Sequence, residues 1–413
     1  MHINKNSKLN KSDQCETFSI KAIINNRVCC GCGTCTVVCP NSAITLNFGE
    51  RFNYPVIDTS KCTLCQRCLE VCPSRFLLNG TKPDVDYQVA SSNSTAYLIH
   101  AKDEILRRDA ASGGFISGLF LYLLEHKKID GCIVTRCEGD NPLVAETFIA
   151  TDKQSIISAS GSKYAPVSAC IALKDVLQKP GKYAFVGTPC MLEGLAKLEK
   201  YLPELKEIIV LKIGFVCAGM ASRLSTKNYI EHHGHVALKK VHKICYRGDG
   251  WPGRFRVFDD EHKLLMDEPH IGGSSMHIVG IDHYLRCYNC LDHWSHYGDI
   301  IVSDPWKEEM IHTEKLGRSA IMIKNEVGKN AVIPAIEDGF FTADSISIQD
   351  MIDYNKHLLI LDNHETHSWM ALYQLLFMRR FRYSLRLFKH VMERNLRGIM
   401  TTLKARLTKK YYY

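Results

Sequence analysis

Two cysteine runs constrain this chain more than any other feature. Cys29, Cys32, Cys35 and Cys39, followed by Pro40, are spaced C-x2-C-x2-C-x3-C-P, and Cys62, Cys65, Cys68 and Cys72, followed by Pro73, repeat that spacing 33 residues later. Three thiolates two residues apart wrap a tight loop around one corner of an iron-sulfur cubane, while the fourth, beyond the longer gap, points the other way. Zinc sites built from C-x2-C pairs also take thiolates. Four ligands per ion, however, explain neither the third C-x2 step nor the prolines. A radical S-adenosylmethionine site needs C-x3-C-x2-C, and Cys35-x3-Cys39 lacks the third member. Cys30 is an extra residue in the first loop and reads as a spare or supporting thiol rather than a ligand.

Ten of the 18 cysteines precede residue 81. A reducing compartment disfavours structural disulfides, so such a concentration points to metal ligation or redox chemistry. The arrangement resembles two-cluster ferredoxins, in which the fourth cysteine of each run ligates the other cluster. That implies one 4Fe-4S cluster on Cys29, Cys32, Cys35 and Cys72, and a second on Cys62, Cys65, Cys68 and Cys39, within a unit covering residues 21–82. Both clusters exchange one electron at a time.

With 413 residues, 46% hydrophobic and 23% charged, the chain has the composition of a globular protein of two or three units, not of a disordered or fibrous one. No apolar run approaches the ~20 residues needed to span a bilayer, and no apolar segment follows the basic N-terminal residues. A cytoplasmic location is expected. Residues 83–95 have the composition of a linker. Beyond them, Gly131–Arg136, Leu143–Ala150, Lys182–Gly187 and Glu207–Val216 read as strands, and Phe115–Glu125, Ser168–Gln178 and Met191–Tyr201 as helices. The alternation predicts an α/β body over 96–345, in two parts meeting at residue 175, with a largely parallel sheet; a mixed sheet stays open.

The body carries more cysteines in loop-like settings: Cys190 in Gly-Thr-Pro-Cys, Cys217 before Ala-Gly, and the pair Cys287-x2-Cys290. Spacing alone leaves two readings, a further cluster or small buried hydrophobes. Cys190 stands where a helix begins, and the helix dipole there favours a thiolate. Cys132, Cys137, Cys170 and Cys245 read as core. No G-x-G-x-x-G or G-x4-G-K-[ST] motif is present. Ser112-Gly113-Gly114 opens a helix, a place that suits either phosphate or a tight packing turn.

Taken in order, Ser112-Gly113-Gly114, Gly161-Ser162-Lys163-Tyr164, Gly187-Thr188-Pro189-Cys190, the Cys217 segment, Tyr246-Arg247 before Gly250-Trp251-Pro252-Gly253, and Cys287-x2-Cys290 followed by Asp299 and Asp304-Pro305-Trp306 resemble the family of coenzyme F(420) hydrogenase/dehydrogenase beta subunits, here with a two-cluster ferredoxin unit in front. The resemblance covers roughly residues 20–345. It implies an iron-sulfur flavoprotein that binds FAD and relays electrons between clusters and a two-electron partner, in the type members the deazaflavin coenzyme F(420). Cys190, Cys217, Cys287 and Cys290 would then hold a third 4Fe-4S cluster. Ser112, Gly113 and Gly114 would lie against the FAD diphosphate with Lys163 and Tyr164 nearby. Arg247 would meet an anionic group of flavin or substrate, its alternative being a surface salt bridge. Met191 stands where the family has Gln, and Ser303-Asp304 where it has Gly-Asp, which puts the substrate in question more than the cluster. No catalytic residue is singled out.

His232, His233, His235 and His242 read as a polar helix end and loop, and His293 and His296 as candidate donors near cluster sulfur. From Thr366 to Tyr413 eleven Lys/Arg face the single acid Glu393, and Met378, Phe381, Leu385, Phe388 and Met392 begin an apolar stripe that predicts a basic amphipathic helix in a tail over 346–413. Such a helix docks on its own protein or on an anionic membrane face. Nucleic acid is not an expected partner; redox subunits and a small two-electron substrate are. The expected function is a flavin-dependent iron-sulfur oxidoreductase. Its rivals are a non-catalytic electron-transfer subunit and a redox accessory enzyme of surface-polysaccharide assembly.

Overall fold

The computed structural model describes residues 19–25, 27–79, 89–270, 283–284, 286–287 and 290–356. The expected basic helix beginning at Met378, and with it the docking or membrane contact of the tail, lies outside the described residues. Among those residues no helix is long and apolar enough to cross a membrane.

The N-terminal unit is built from short pieces: the hairpin of β1 (Ile44–Phe48) and β2 (Asn53–Ile57), antiparallel from Ile44 opposite Ile57 to Phe48 opposite Asn53, and one-turn helices such as Thr34–Val38 and Arg67–Glu70. Its core is small. Ile20, Ile23, Val28, Ile44, Leu69 and Leu77 pack directly against Cys35 and Cys72. So few apolar residues stabilise a unit of this size weakly, and metal ligation then becomes part of its folding energy.

The body is laid on one sheet. Its strands are β3 (Thr95–Ala101), β4 (Gly131–Arg136), β5 (Glu146–Ala150), β6 (Tyr183–Gly187) and β7 (Ile209–Phe215); then, after a separate sheet of β8 (Lys243–Cys245), β9 (Arg254–Phe258) and β10 (Leu264–Pro269), come β11 (Ile300–Ser303), β12 (Ser319–Ile323) and β13 (Phe341–Ile346). The order across the eight-stranded sheet is β13-β3-β12-β11-β7-β6-β4-β5. The expectation of a largely parallel sheet is corrected. Only the centre, β11-β7-β6-β4, is parallel, while β5 on one side and β12, β3 and β13 on the other are antiparallel to their neighbours. A parallel neighbour requires a crossover connection, usually a helix; β5 instead returns beside β4 directly. The central strands are nearly continuous apolar runs because both faces are covered.

Side-chain alternation sorts those faces. Cys132, Val134 and Ala184 join the helix Phe115–Glu125 through Phe115, Leu119 and Leu123, whereas Ile133, Phe185 and Ile209 join the helix Pro189–Leu198 through Leu192, Leu195 and Leu198. The first helix begins and ends as the sequence predicts. The segment expected to be helical from residue 168 to 178 is instead a 3-10 turn, Ala169–Ala172, followed by Leu173–Val176. The three-stranded β8–β10 sheet, which periodicity did not announce, packs Phe255 and Val257 of β9 with Tyr229, Ile230 and Tyr246.

The two units are fixed to each other. Asn53, fully buried, donates from Nδ2 to the Pro166 carbonyl (3.2 Å) and Ser168 Oγ (2.7 Å), and its Oδ1 accepts from both Arg223 terminal nitrogens (2.8 and 2.6 Å). Ser168 Oγ in turn donates to the Gly31 carbonyl at 2.5 Å. Cys30, Cys32, Val38 and Val71 belong to the same apolar cluster as Leu192 and Leu195 of the body.

Candidate functional site

Each cysteine run turns through the same backbone. Two and four residues after the first cysteine, Gly31 and Gly33 in one copy (φ 68° and 93°) and Leu64 and Gln66 in the other (φ 60° and 62°) are left-handed. That conformation bends each chain back so that its thiols face inward. Cys39, Cys62, Cys65 and Cys68 line one cavity with Pro40, Ala43 and Ile44, and Cys65 is exposed. Cys35 lies within electrostatic range of Cys29, Cys32 and Cys72, deeper in the molecule. The fourth cysteine of each run therefore sits with the other run.

The four body cysteines also meet. Cys190 is the second residue of the helix Pro189–Leu198, Cys217 follows β7, and Cys217 is in electrostatic range of Cys190, Cys287 and Cys290. Burial pushes Cys217, Cys35 and Cys72 well above the ordinary thiol range, and Cys29, Cys287 and Cys290 up to about 12. Thiols crowded into such places become thiolates only against cations, so this donor set fits iron. Among the described residues no three His, Cys, Asp or Glu side chains converge on one point, as a single zinc ion requires; a cubane presents a separate iron to each thiolate.

Cys30 links two of these sets. It is buried in one cluster with Cys32, with Cys190 packed against that cluster, and its thiol is in electrostatic range of both. The Cys30 thiol beside them holds Cys32 down to about 7 and lowers Cys190, with the Thr34 and Thr188 hydroxyls (each 3.3 Å from its sulfur) assisting. The helix end foreseen for Cys190 is present, but its leading stabiliser is a neighbouring thiol. The buried set of the ferredoxin unit thus has the exposed set as one neighbour, through Cys35 and Cys68, and the body's set as another, through Cys30.

His293 Nδ1 lies 2.7 Å from the Cys217 carbonyl and the His293 carbonyl accepts from Cys217 N at 2.9 Å, so this histidine positions backbone beside a candidate ligand. The His296 carbonyl accepts from Lys324 Nζ at 2.6 Å. His232, His233 and His235 are exposed, with Tyr229 stacked on His233.

Another group of predicted residues gathers around Asp304. Arg247, 1% exposed at its side chain, donates through Nη1 and Nη2 to the two Asp304 oxygens (2.7 and 2.9 Å) and through Nε to the Pro252 carbonyl (3.0 Å). Trp251 Nε1 donates to Asp304 Oδ1 at 2.7 Å, Tyr164 hydrogen-bonds to Arg247, and Ser112 lies close by, its Oγ donating to the Arg318 carbonyl at 2.8 Å. At Arg247, where an anionic group was expected, the guanidinium fork is engaged by a buried carboxylate, and that salt bridge is internal rather than on the surface. Lys163 likewise turns to the carbonyls of Ala159, Ser160 (3.0 Å) and Gly161 (2.9 Å), closing the end of the helix Lys153–Ser158.

Gly113 and Gly114, both left-handed, open the helix Phe115–Glu125; a Cβ on Gly113 would lie 2.8 Å from Arg318 Cα. Tight packing therefore explains these glycines on the side their missing Cβ would face. Tyr164 stacks on His270 (5.8 Å, 6°) and Trp251 lies 5.2 Å from Trp306. The helix end and the aromatic planes fit a flavin dinucleotide; the two cations do not, since protein acceptors already engage them. The sequence left Asp304 without a partner, although the motifs already singled out Arg247, Trp251, Asp304 and Trp306 in order.

Comparison with known proteins follows the same division. Residues 96–174 and 181–349 match the N-terminal and C-terminal parts of the family described as coenzyme F(420) hydrogenase/dehydrogenase, beta subunit, and residues 28–76 match a 4Fe-4S dicluster domain. The chain is 28% identical over 341 residues to a coenzyme F(420)-dependent sulfite reductase of Methanocaldococcus jannaschii, covering 76% of this chain but only 47% of that protein. It is 25% identical over 268 residues to the beta subunit of a coenzyme F(420) hydrogenase from Methanococcus voltae, covering 62% of this chain and 90% of the other. Its fold matches a chain of the F(420)-reducing NiFe hydrogenase complex from Methanosarcina barkeri with a TM-score of 0.55 at 20% identity, over 73% of this chain and 99% of that one. With its paired cysteine runs, its mixed sheet and these matches together, the chain belongs to the family of coenzyme F(420) hydrogenase/dehydrogenase beta subunits and carries a 4Fe-4S dicluster domain.

Proposed function

We propose that this chain is an oxidoreductase subunit that moves electrons through three 4Fe-4S clusters to FAD, with F(420) or a similar two-electron carrier as the exchanging substrate. The observation that carries this reading is the contact of Cys30 with both Cys32 and Cys190, which brings the ferredoxin thiols against the body's. Cys62, Cys65, Cys68 and Cys39 would hold the outer cluster, Cys29, Cys32, Cys35 and Cys72 the middle one, and Cys190, Cys217, Cys287 and Cys290 the inner one. When bound, the clusters supply one-electron transfer, and FAD supplies the junction between single electrons and a hydride.

The chain's own part is to fix distances and exclude water. Asn53, Ser168 and Arg223 lock the two units so that the middle and inner thiol sets do not separate. The amino end of the helix after Ser112-Gly113-Gly114 would receive the FAD diphosphate, with Tyr164 beside it. Arg247 and Asp304 would shape that site from behind rather than touch an anion. Other redox subunits would dock near the exposed Cys65. The polysaccharide-assembly alternative draws no support from the relatives above.

The test is to purify the chain without oxygen, reconstitute it with iron, sulfide and FAD, and follow the absorbance of reduced F(420) in the presence of a viologen acceptor. Oxidation of F(420) that depends on bound flavin is the expected result. Clusters with no flavin retained and no turnover would leave the electron-carrier reading in its place.

A further inference from the structure

A chain of charges, buried at Glu193 and Arg286 and half-buried at Lys197, spans the gap between the middle and inner thiol sets. Lys197 Nζ donates to the Cys72 carbonyl at 3.1 Å and to Glu193 Oε1 at 2.7 Å; Glu193 Oε2 lies 3.9 Å from Arg286 Nη2. Glu193 and Arg286 side chains are 4% and 3% exposed. Arg286 also lies over the ring of Phe76, 4.9 Å from its centroid, so it stands at the junction of the ferredoxin unit and the body. It is within electrostatic range of Cys190, Cys287 and Cys290, and Lys197 is within range of Cys72.

Stability does not account for this arrangement. A buried ion pair costs desolvation that its own attraction roughly repays, and apolar residues of the same volume serve a fold as well or better. Glu193, moreover, interrupts the buried face of an otherwise apolar helix, Met191, Leu192, Leu195 and Leu198 being its neighbours there. Lys197 and Arg286 flank the single anion Glu193 along this bridge, and the buried Asp292 stands on the far side, beside Cys290.

We propose that Arg286, held by Glu193, raises the reduction potential of the inner cluster, and that Lys197 at the other end of the bridge does the same for the middle one. The proposal rests on the cluster ligation proposed above. Reduction adds one negative charge to a cluster, and a fixed cation in a region of low dielectric stabilises that charge. Arginine keeps its proton under all conditions a protein meets, so the bias is permanent. Glu193 acts in the opposite sense. Arg286 is therefore a positioning residue: it biases the inner cluster toward its reduced state without touching the reacting atoms.

The experiment is potentiometry monitored by electron paramagnetic resonance on the full reconstituted chain, comparing the parent protein with Arg286→Gln, Arg286→Lys and Glu193→Gln. At a solution potential that half-reduces the parent's inner cluster, Arg286→Gln should lower the reduced-to-oxidised ratio about tenfold, a shift of about 59 mV for a one-electron couple. Glu193→Gln should raise that ratio, Arg286→Lys should stay near the parent, and the outer cluster should not move. Ratios within about twofold of the parent in both charge-removing variants, or shifts of the same sign in both, would overturn the proposal, because a purely structural role predicts no opposition of sign. If Arg286→Gln fails to retain the inner cluster's iron, Glu193→Gln decides alone: a raised ratio supports the bridge and any other result overturns it. A parent protein with only the two ferredoxin clusters would instead overturn the ligation itself, and this inference with it.

Discussion

The two cysteine loops share one backbone path and differ in what lies outside them. In the first, the left-handed positions are Gly31 and Gly33, and a Cβ on Gly33 would stand 2.6 Å from Ile171 Cγ2 of the body. In the second they are Leu64 and Gln66, and Gln66 is exposed. The ligand geometry alone accepts a side chain there; glycine is required only where the loop is pressed against another unit. The same contrast separates two ion pairs. Arg247 and Asp304 are joined at 2.7 Å with the arginine 1% exposed, and Arg136 and Glu146 at the same 2.7 Å with the arginine 37% exposed. Burial, rather than the local chemistry, sets what each copy contributes.

The sharpest way to break this comparison is Asp304→Ala. It leaves Arg247 charged and buried and should cost about 3–5 kcal/mol, read as a large fall in the thermal midpoint. A loss no greater than that of a surface pair would contradict the account. Gly33→Ala should cost about 2–4 kcal/mol, from a left-handed alanine and the clash with Ile171. Gln66→Ala in the matching position should change stability by less than about 0.5 kcal/mol. Equal effects at the two positions, measured by thermal unfolding, would mean that the loops are not in different surroundings.

The Arg247–Asp304 pair also has a pH signature. Burial by itself would raise the Asp304 carboxyl, but the Arg247 charge outweighs it and holds the group below its usual value. A depressed acid contributes stability in full above its unfolded pKa of about 3.9 and loses it as pH falls through the lower folded value. The stability difference between the parent and Asp304→Asn should therefore be constant from pH 7 to about 5 and shrink below about pH 4. A difference that grows on acidification would have the wrong sign. The smallest effect is expected from Arg136→Gln, under about 1 kcal/mol and weakened further by salt.

What the sequence made legible is what it writes locally. The cysteine runs, the helix Phe115–Glu125 and the strand Gly131–Arg136 could be read because their residues are contiguous and their periods short. The antiparallel flank was hidden: β3 pairs with β12 and β13, more than two hundred residues away, and no local pattern records that pairing. Arg247 was noticed without its partner 57 residues on, so its role as a ligand for an anion looked as good as its actual engagement. Arg286 and Lys197 gave no signal at all. Glu193 did give one, as an acid on the apolar face of a helix, where a charged carboxylate calls for a compensating partner.

The central claim is that thiols from two units form one continuous line of clusters, and the iron and acid-labile sulfide content of the anaerobically reconstituted chain tests it most directly, measured beside Cys190→Ala. The account predicts about 12 iron atoms per chain, falling to about 8 in the variant as the inner four-iron cluster is lost. About 8 in both would contradict it, leaving a dicluster ferredoxin unit attached to a body whose cysteines only pack.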